Sequence, residues 1–217
     1  MATIYETTMS PSKRELVTAW LPAQPWYRET GHEPELIKAG GFRLDDPEGE
    51  VGIEFMIVTD RSGATTYHTP MTYRGRALPG GVLIGTSEHG VLGLRWIYDG
   101  ARDPVMVARL LAAIQGEAEP QSQNQSGTPD PTVTGQPVTE GPLAAIGSVV
   151  VADAPAGTDL QVETAPAGQL ILRINRILQP DGRAPAGEPG PPGLSATWRL
   201  PDGTQVRGLV ATFPGKG

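Results

Sequence analysis

The sequence predicts an α+β protein: mainly a curved antiparallel β-sheet, with two short-to-medium helices in the N-terminal half and a β-rich C-terminal half. Three observations lead to this fold class. Apolar residues alternate with polar ones in several short runs. Only two places combine helix-start signals with helical spacing. Finally, 28 glycines and 22 prolines among 217 residues indicate many turns.

The first predicted helix begins at Ser12. Glu15 follows three residues later, which is the spacing of a capping box. Leu16 and Trp20 lie four residues apart and therefore share one face. Pro22 disfavours a helical residue before it, so the helix is expected to end at about Leu21.

Short strands and turns follow in the N-terminal half. In the second strand Val51, Ile53, Phe55 and Ile57 lie on one face, which predicts one clearly apolar side. Pro70 lacks the amide hydrogen that a ladder needs, so its strand is expected at an edge or with a bend there. The predicted strands of this half are 40–44, 51–58, 65–73, 82–84 and 94–98.

The second predicted helix has a stronger start signal. Asp103 can accept hydrogen bonds from the free amides of the first turn, and Pro104 fits the first helical position. Gly116 is a natural stop. The apolar stripe consists of Val107, Leu111 and Ile114.

Composition divides the chain into three parts. Residues 1–116 form the first predicted domain. Residues 117–142 are rich in Pro, Gln and Ser, which predicts a linker or mobile loop. Residues 143–217 are predicted to be a small all-β region, either separate or extending the same sheet. Its predicted strands are 147–151, 159–162, 170–177, 194–200 and 205–211, and residues 184–193 read as a Pro/Gly-rich loop.

Charge and composition narrow the function classes. A net charge of −7 and a pI near 5.0 argue against sequence-independent nucleic-acid binding and against docking on an anionic membrane. The chain has no cysteine. Its start lacks the pattern of a signal peptide, and no apolar run has membrane-spanning length. We therefore expect a cytoplasmic protein.

Metal and cofactor signals are weak. The three histidines, His32, His68 and His89, are not spaced as a metal pair, and the acidic segment 45–50 fits a solvated hairpin turn better than a calcium loop. No cofactor and no metal are expected.

Three motifs carry a family resemblance. They are 20–27 (WLPAQPWY), 67–74 (YHTPMTYR) and 88–100 (EHGVLGLRWIYDG). Together they resemble the N-terminal cap of actinobacterial maltokinases, over roughly residues 1–116. In that family the cap precedes a two-lobed, protein-kinase-like body that phosphorylates maltose with ATP. The kinase catalytic loop has no counterpart in this sequence, and an arginine at 173 only loosely matches the family's phosphate-contacting lysine.

The resemblance implies a stand-alone, non-catalytic interaction or regulatory module linked to maltose, trehalose and α-glucan metabolism. Its partner would be a protein, for example an enzyme of that metabolism. The alternative is a binder of a sugar or oligosaccharide. A homodimer would cover an exposed sheet edge and is a further open alternative.

One group of aromatic and polar residues within the motifs is the candidate ligand- or partner-binding site. Aromatic rings can stack on sugar faces while arginine donates hydrogen bonds, and the same residue types are enriched at protein interfaces. Large rings also build hydrophobic cores, so the interior is the competing interpretation. The candidates are Trp26, Tyr67, His68, Arg74, Trp96 and Tyr98.

Overall fold

A computed structural model describes residues 9–62, 64–123, 127–141, 143–165, 167–181 and 191–214, and it confirms the β-rich α+β fold. Helices α1 (Lys13–Trp20) and α2 (Pro104–Ile114) adjoin the 3-10 turns Leu21–Ala23 and Gly100–Arg102. The described strands, in chain order, are β1 (Met9–Ser10), β2 (Leu36–Leu44), β3 (Gly52–Asp60), β4 (Thr65–Arg74), β5 (Leu83–His89), β6 (Gly93–Asp99), β7 (Gln121–Ser122), β8 (Thr134–Gln136), β9 (Ala144–Ala154), β10 (Gly157–Ala165), β11 (Gly168–Asn175), β12 (Ile177–Leu178), β13 (Gly193–Arg199) and β14 (Gln205–Thr212).

The strands form one antiparallel sheet. Its order is β1-β5-β6-β4-β3-β2-β13-β14-β11-β10-β9, and the short strands β12, β7 and β8 pair with β4, β2 and β13. Bulges in β2, β5, β9 and β14 shift the register, and bulges bend and twist a sheet. The strands of the C-terminal region therefore continue the sheet of the N-terminal region, and the two regions pair at β2–β13 and at β4–β12.

Helix α1 has the predicted capping box. The Glu15 amide donates to Ser12 Oγ over 3.3 Å, and the Ser12 amide donates to Glu15 Oε2 over 2.7 Å. Pro22 falls in the 3-10 turn that follows α1, so the helix tightens where the proline appears. Val17 and Trp20 bury the inner face of the helix.

Helix α2 also begins as predicted. The Val105 amide donates to Asp103 Oδ1 over 3.0 Å, and Pro104 occupies the first turn. The helix packs against strands from both regions of the chain, including β2, β8, β9 and β13. Its buried residues are Met106, Val107, Leu110, Leu111, Ala113 and Ile114.

Strand β3 is buried on both faces, whereas its sequence predicts one apolar face. Phe55 and Ile57 join the core around α2, and Met56 and Val58 join the core beneath α1. The predicted apolar face is confirmed, and the opposite face is buried as well because layers cover the centre of this sheet on both sides. Glu54 is buried among these apolar neighbours.

Strand β4 lies inside the sheet, so of the two alternatives expected at Pro70, an edge or a bend, the edge was wrong. Pro70 lies opposite Phe55 of β3. On the other side of β4, β12 pairs with Thr66 and Tyr67, and β6 pairs with Met71–Arg74. On that side of β4, Pro70 lies in the gap between the two pairings. A missing amide hydrogen interrupts no ladder there.

The segment predicted as a linker contributes to the sheet in its described parts. Strand β7 pairs with β2, strand β8 pairs with β13, and Val133 lies in the core around α2. The proposed domain boundaries stay a prediction. Most of the predicted loop 184–193 lies outside the described residues.

The junction between β2 and β13 depends on a glycine. Gly40 lies opposite Trp198, and a Cβ added to Gly40 would lie 3.1 Å from the Thr197 carbonyl oxygen. We expect Gly40→Val to lower the free energy of unfolding by about 1–3 kcal/mol, because the strands must separate. Urea denaturation would measure this, with Thr197→Val on the facing strand as the control. Equal unfolding midpoints for Gly40→Val and the parent protein would contradict the tight junction.

Candidate functional site

The most buried ion pair among the described residues joins Asp99, at the end of β6, to Arg176, the residue after β11. Arg176 is 0% exposed. Its Nη2 donates to Asp99 Oδ1 and Oδ2 over 2.8 and 2.6 Å, and its Nε donates to Thr158 Oγ1 over 2.9 Å. The guanidinium carbon lies 5.0 Å from the centre of the Trp26 ring, a cation–π distance. Asp99 and Trp26 of the N-terminal region therefore both contact the guanidinium of Arg176, a residue of the C-terminal region.

His68 lies beside this pair and is buried. Its amide donates to the Arg176 carbonyl oxygen over 2.9 Å, and its Nδ1 lies 3.1 Å from the Asn175 carbonyl oxygen. Burial and the positive charge of Arg176 lower the pKa of His68 to about 3. The ring is therefore neutral at physiological pH, and Nδ1 carries the proton shared with Asn175.

Arg74 is held by another internal ion pair. Its Nε and Nη2 donate to the two carboxylate oxygens of Asp103, each over 2.7 Å. The hydrogen bonds to Asp103 raise the pKa of Arg74, despite its partial burial. Asp103 also caps α2, so Arg74 fixes the start of that helix to β4. The Arg74 donors that the sequence analysis proposed for a sugar therefore bind the Asp103 carboxylate of the same chain.

The aromatic candidates point mostly inward. Trp26 packs edge-on against Trp20, with ring centres 5.7 Å apart, and tilted against Tyr67 at 6.0 Å. Tyr67 accepts a hydrogen bond from the Arg28 amide, and Tyr98 accepts one from the Leu78 amide. Trp26, Tyr67, His68 and Tyr98 are each at most 4% exposed.

Trp96 is the candidate ring that remains partly exposed. It lies opposite Arg74 in the β4–β6 ladder. The structure thus gathers Trp26, Tyr67 and His68 around Arg176, and it places Arg74 and Trp96 together on the neighbouring strands.

A second polar cluster surrounds Glu54. Lys13 Nζ and Gln123 Nε2 each lie 2.5 Å from a carboxylate oxygen, and the Tyr73 hydroxyl donates over 3.1 Å. Burial raises the pKa of Glu54, but Lys13 and the other donors outweigh it and the net shift is downward. Burial and the Glu54 charge raise the pKa of Tyr73 well above its ordinary value. The carboxylate is ionised and shared by α1, β4 and the segment after β7.

Sequence reasoning missed Arg176, Asp99 and Glu54. The available signal was an ionisable residue inside an otherwise apolar run. The resemblance pointed to Arg173 instead, as a loose match to the family's phosphate-contacting lysine. The Arg173 guanidinium makes a more exposed ion pair with Asp159, at 2.6 and 2.8 Å. Nothing in the local pattern marks Arg176 as the buried arginine, because its partner Asp99 lies 77 residues away in the chain.

The β5–β6 hairpin presents apolar side chains outward at its tip. Val91, Leu92 and Leu94, the hairpin tip from here on, are 57%, 43% and 40% exposed. His89 Nδ1 accepts hydrogen bonds from the Val91 and Leu92 amides, and Arg95 donates to the Leu92 carbonyl oxygen over 2.7 Å. These bonds hold the turn in shape while leaving its apolar side chains uncovered.

The predicted acidic turn is a backbone cap. Asp46 accepts hydrogen bonds from the amides of Glu48, Glu50 and Val51 over 2.9–3.1 Å. Over the described ranges, no cluster of three His, Asp or Glu residues is arranged to hold a metal ion. Neither α1 nor α2, the helices of the described part, is long and apolar enough to cross a bilayer.

The Asp99–Arg176 pair yields a stability prediction. Arg176→Met leaves a buried carboxylate unpaired, so we expect a loss of about 3–5 kcal/mol in the free energy of unfolding. Arg173→Met, three residues earlier, removes the partly exposed ion pair with Asp159 and should cost about 1 kcal/mol or less. The double variant Asp99→Asn/Arg176→Met should recover part of the loss. Urea unfolding of all four proteins checks this, and similar losses for the two arginines would contradict it.

His68 yields a pH prediction. Its folded pKa is lowered from 6.5 to about 3, so the unfolded chain binds more protons between these values. This contribution to stability is complete above about pH 6.5 and is lost as the pH falls, by up to about 1.4 kcal/mol per pH unit. His68→Asn, whose amide can donate to Asn175, should show a shallower decline. Urea unfolding between about pH 4 and pH 7 tests it; equal slopes would contradict the assignment.

Comparison with known proteins finds one family in the first half of the chain. Residues 20–103 match the model of the maltokinase N-terminal cap domain. A search of curated proteins finds no match. The matched segment, which is less than half of the chain, contains all six candidate residues, Asp99 and the hairpin tip, whereas Arg176 lies beyond it. Residues 20–103, the cap-like domain from here on, are therefore similar to a maltokinase N-terminal cap domain, and the C-terminal region adds strands to the same sheet.

Proposed function

We propose that this protein is a non-catalytic cytoplasmic interaction module that binds an enzyme of maltose, trehalose or α-glucan metabolism through its hairpin tip. The observation that carries the proposal is the outward display of Val91, Leu92 and Leu94 on a turn held by its own hydrogen bonds. A surface already ordered before binding loses little conformational entropy when a partner covers it.

The interior of the cap-like domain supports the same proposal. The charged groups that could act on a ligand are committed to partners within the chain: Arg176 to Asp99, Arg74 to Asp103 and Glu54 to Lys13. Four of the six candidate side chains are buried among other residues. Among the described residues of the matched segment, the exposed large apolar side chains are Leu83 and the three of the hairpin tip, and the aromatic candidates are not among them.

The family match supports the choice of partner. A cap domain is, by its description, the N-terminal part of a maltokinase, so the surface of this domain is suited to contact a protein body. We therefore propose a maltokinase of the same organism as the first partner to test, and other enzymes of maltose and α-glucan conversion as the next.

The test is a binding titration with purified enzymes. We expect the parent protein to bind at least one of them and Leu92→Ser/Leu94→Ser to bind at least about tenfold more weakly, since interface anchors typically contribute more than 1 kcal/mol each. Ile171→Ser, an exposed apolar position on β11, is the matched control and should bind like the parent. Equal affinity for the parent and the hairpin variant would reject the assigned surface, and failure to bind any enzyme in the panel would reject the partner class.

Sugar binding is the competing hypothesis, and the partial exposure of Trp96 is the observation that favours it. Titration with maltose, trehalose and malto-oligosaccharides, followed by tryptophan emission, distinguishes the two. The interaction proposal expects no saturable change. A saturable change that Trp96→Ala abolishes, while Ile171→Ser keeps it, would replace the proposal with a carbohydrate site.

A further inference from the structure

The turn at the tip of the β5–β6 hairpin is held by a histidine side chain. His89 ends β5, Gly93 begins β6 opposite it, and residues 90–92 connect them. His89 Nδ1 accepts hydrogen bonds from the Val91 amide over 3.3 Å and from the Leu92 amide over 3.1 Å. The first position of a turn usually carries Asp, Asn or Ser, whose side-chain oxygen accepts from backbone amides further along the turn. In this turn the imidazole ring takes that role.

A histidine can accept these hydrogen bonds only while its ring is neutral. Nδ1 then has a free lone pair and the proton lies on Nε2, whereas both nitrogens of a protonated ring are donors. Protonation of His89 therefore places an N–H group against the amides of Val91 and Leu92, and both hydrogen bonds are lost. Asn or Ser at the same position would not change between about pH 5 and pH 8, the range in which histidine ordinarily titrates.

The charged groups around the His89 ring favour its neutral form. Partial burial and the positive charges of Arg95 on β6 and Lys13 on α1 lower the pKa of His89, although its own backbone carbonyl acts in the opposite direction. Strand β1, which pairs with β5 at this end, has no ionisable side chain. Glu88 precedes His89 in β5 and therefore points to the opposite side of the sheet. The ring is accordingly neutral at about pH 7, where the turn is held.

The same turn carries the surface that is proposed to bind a partner. Val91 and Leu92, whose amides donate to His89, are also two of the three exposed side chains of the hairpin tip. Arg95 supports the turn from β6 by donating to the Leu92 carbonyl oxygen over 2.7 Å, and an arginine stays charged at every physiological pH. Of these side-chain contacts, those of His89 are therefore the ones that depend on pH.

We propose that His89 is a pH-dependent latch of the hairpin tip: its neutral ring keeps the tip ordered for binding, and its protonation releases the turn and weakens the contact with the partner. A released turn must be ordered again when the partner binds, which costs conformational entropy. Because the ordered turn lowers the proton affinity of the ring, protonation in turn favours release. The effect on binding rests on the proposed function, whereas the release of the turn is a property of this chain alone.

NMR of the free protein tests the latch without any partner. Between about pH 7.5 and pH 5 we expect the amide protons of Val91 and Leu92 to move upfield, with the same midpoint as the His89 ring protons. In His89→Asn, whose side-chain oxygen can accept from the same amides at every pH, these transitions should disappear. His32→Asn, at an exposed histidine outside the hairpin, is the matched control and should keep them. His68, whose pKa is about 3, stays neutral over this range.

Affinity for the enzyme that binds in the titration above tests the regulation. We expect the parent protein and His32→Asn to bind about three- to tenfold more weakly at about pH 5.5 than at about pH 7.5, which is the effect of losing about one hydrogen bond. The ratio between the two pH values should be smaller for His89→Asn, since any titration of the enzyme itself is common to all variants. His89→Ala lacks an acceptor and should bind weakly at both pH values.

Two results would overturn the inference. Amide protons of Val91 and Leu92 that do not move with the His89 ring, or that still move in His89→Asn, would show that this histidine does not hold the turn. The same pH dependence of affinity in the parent protein and in His89→Asn would show that the turn does not regulate binding. Failure of every enzyme to bind would instead reject the proposed partner class, and the NMR result decides the latch in either case.

Discussion

The ionic contact between Asp99 and Arg176 is the constraint on which the arrangement of this protein most depends. A guanidinium and a carboxylate are costly to remove from water, so each must have its partner in place before the surrounding core can close. Trp26 covers one side of the guanidinium, and Thr158 accepts a further hydrogen bond. One residue of the C-terminal region thus organises the last strand and the first aromatic motif of the cap-like domain.

This contact also explains why the motif residues face inward. Tyr67 and Trp26 pack together near Arg176, while His68 on the next position of β4 contacts the backbone beside it. The aromatic motif therefore supports the interior. The exposed large apolar side chains of the described residues lie elsewhere, at the hairpin tip, Leu83, Val150 and Ile171. The motif 88–100 contains both kinds of residue: its first part forms the exposed hairpin tip, and its last part is buried.

Features governed by neighbouring residues could be read from the sequence. The capping box of Ser12 and Glu15 and the Asp103–Pro104 start of α2 were predicted and confirmed, because both involve hydrogen bonds within a single helical turn. Interior placement could not be read in this way. Pro70 suggests an edge only until β12 and β6 are known to pair with β4 before and after it. Arg173 meets a carboxylate on the neighbouring strand β10, whereas the carboxylate that Arg176 meets lies 77 residues away in the chain.

The sequence by itself determined the fold class, the two helix starts, most strand positions and the resemblance that the match over residues 20–103 confirmed. These properties follow from local hydrogen bonding, apolar spacing and motif identity. Only the tertiary structure decided that both faces of β3 are buried, that β2 and β13 join the two regions in one sheet, and that Arg176 lies beneath Trp26. Each of these depends on contacts between residues far apart in the chain. Local patterns treat a polar position as exposed to water, and only the tertiary contacts bury it.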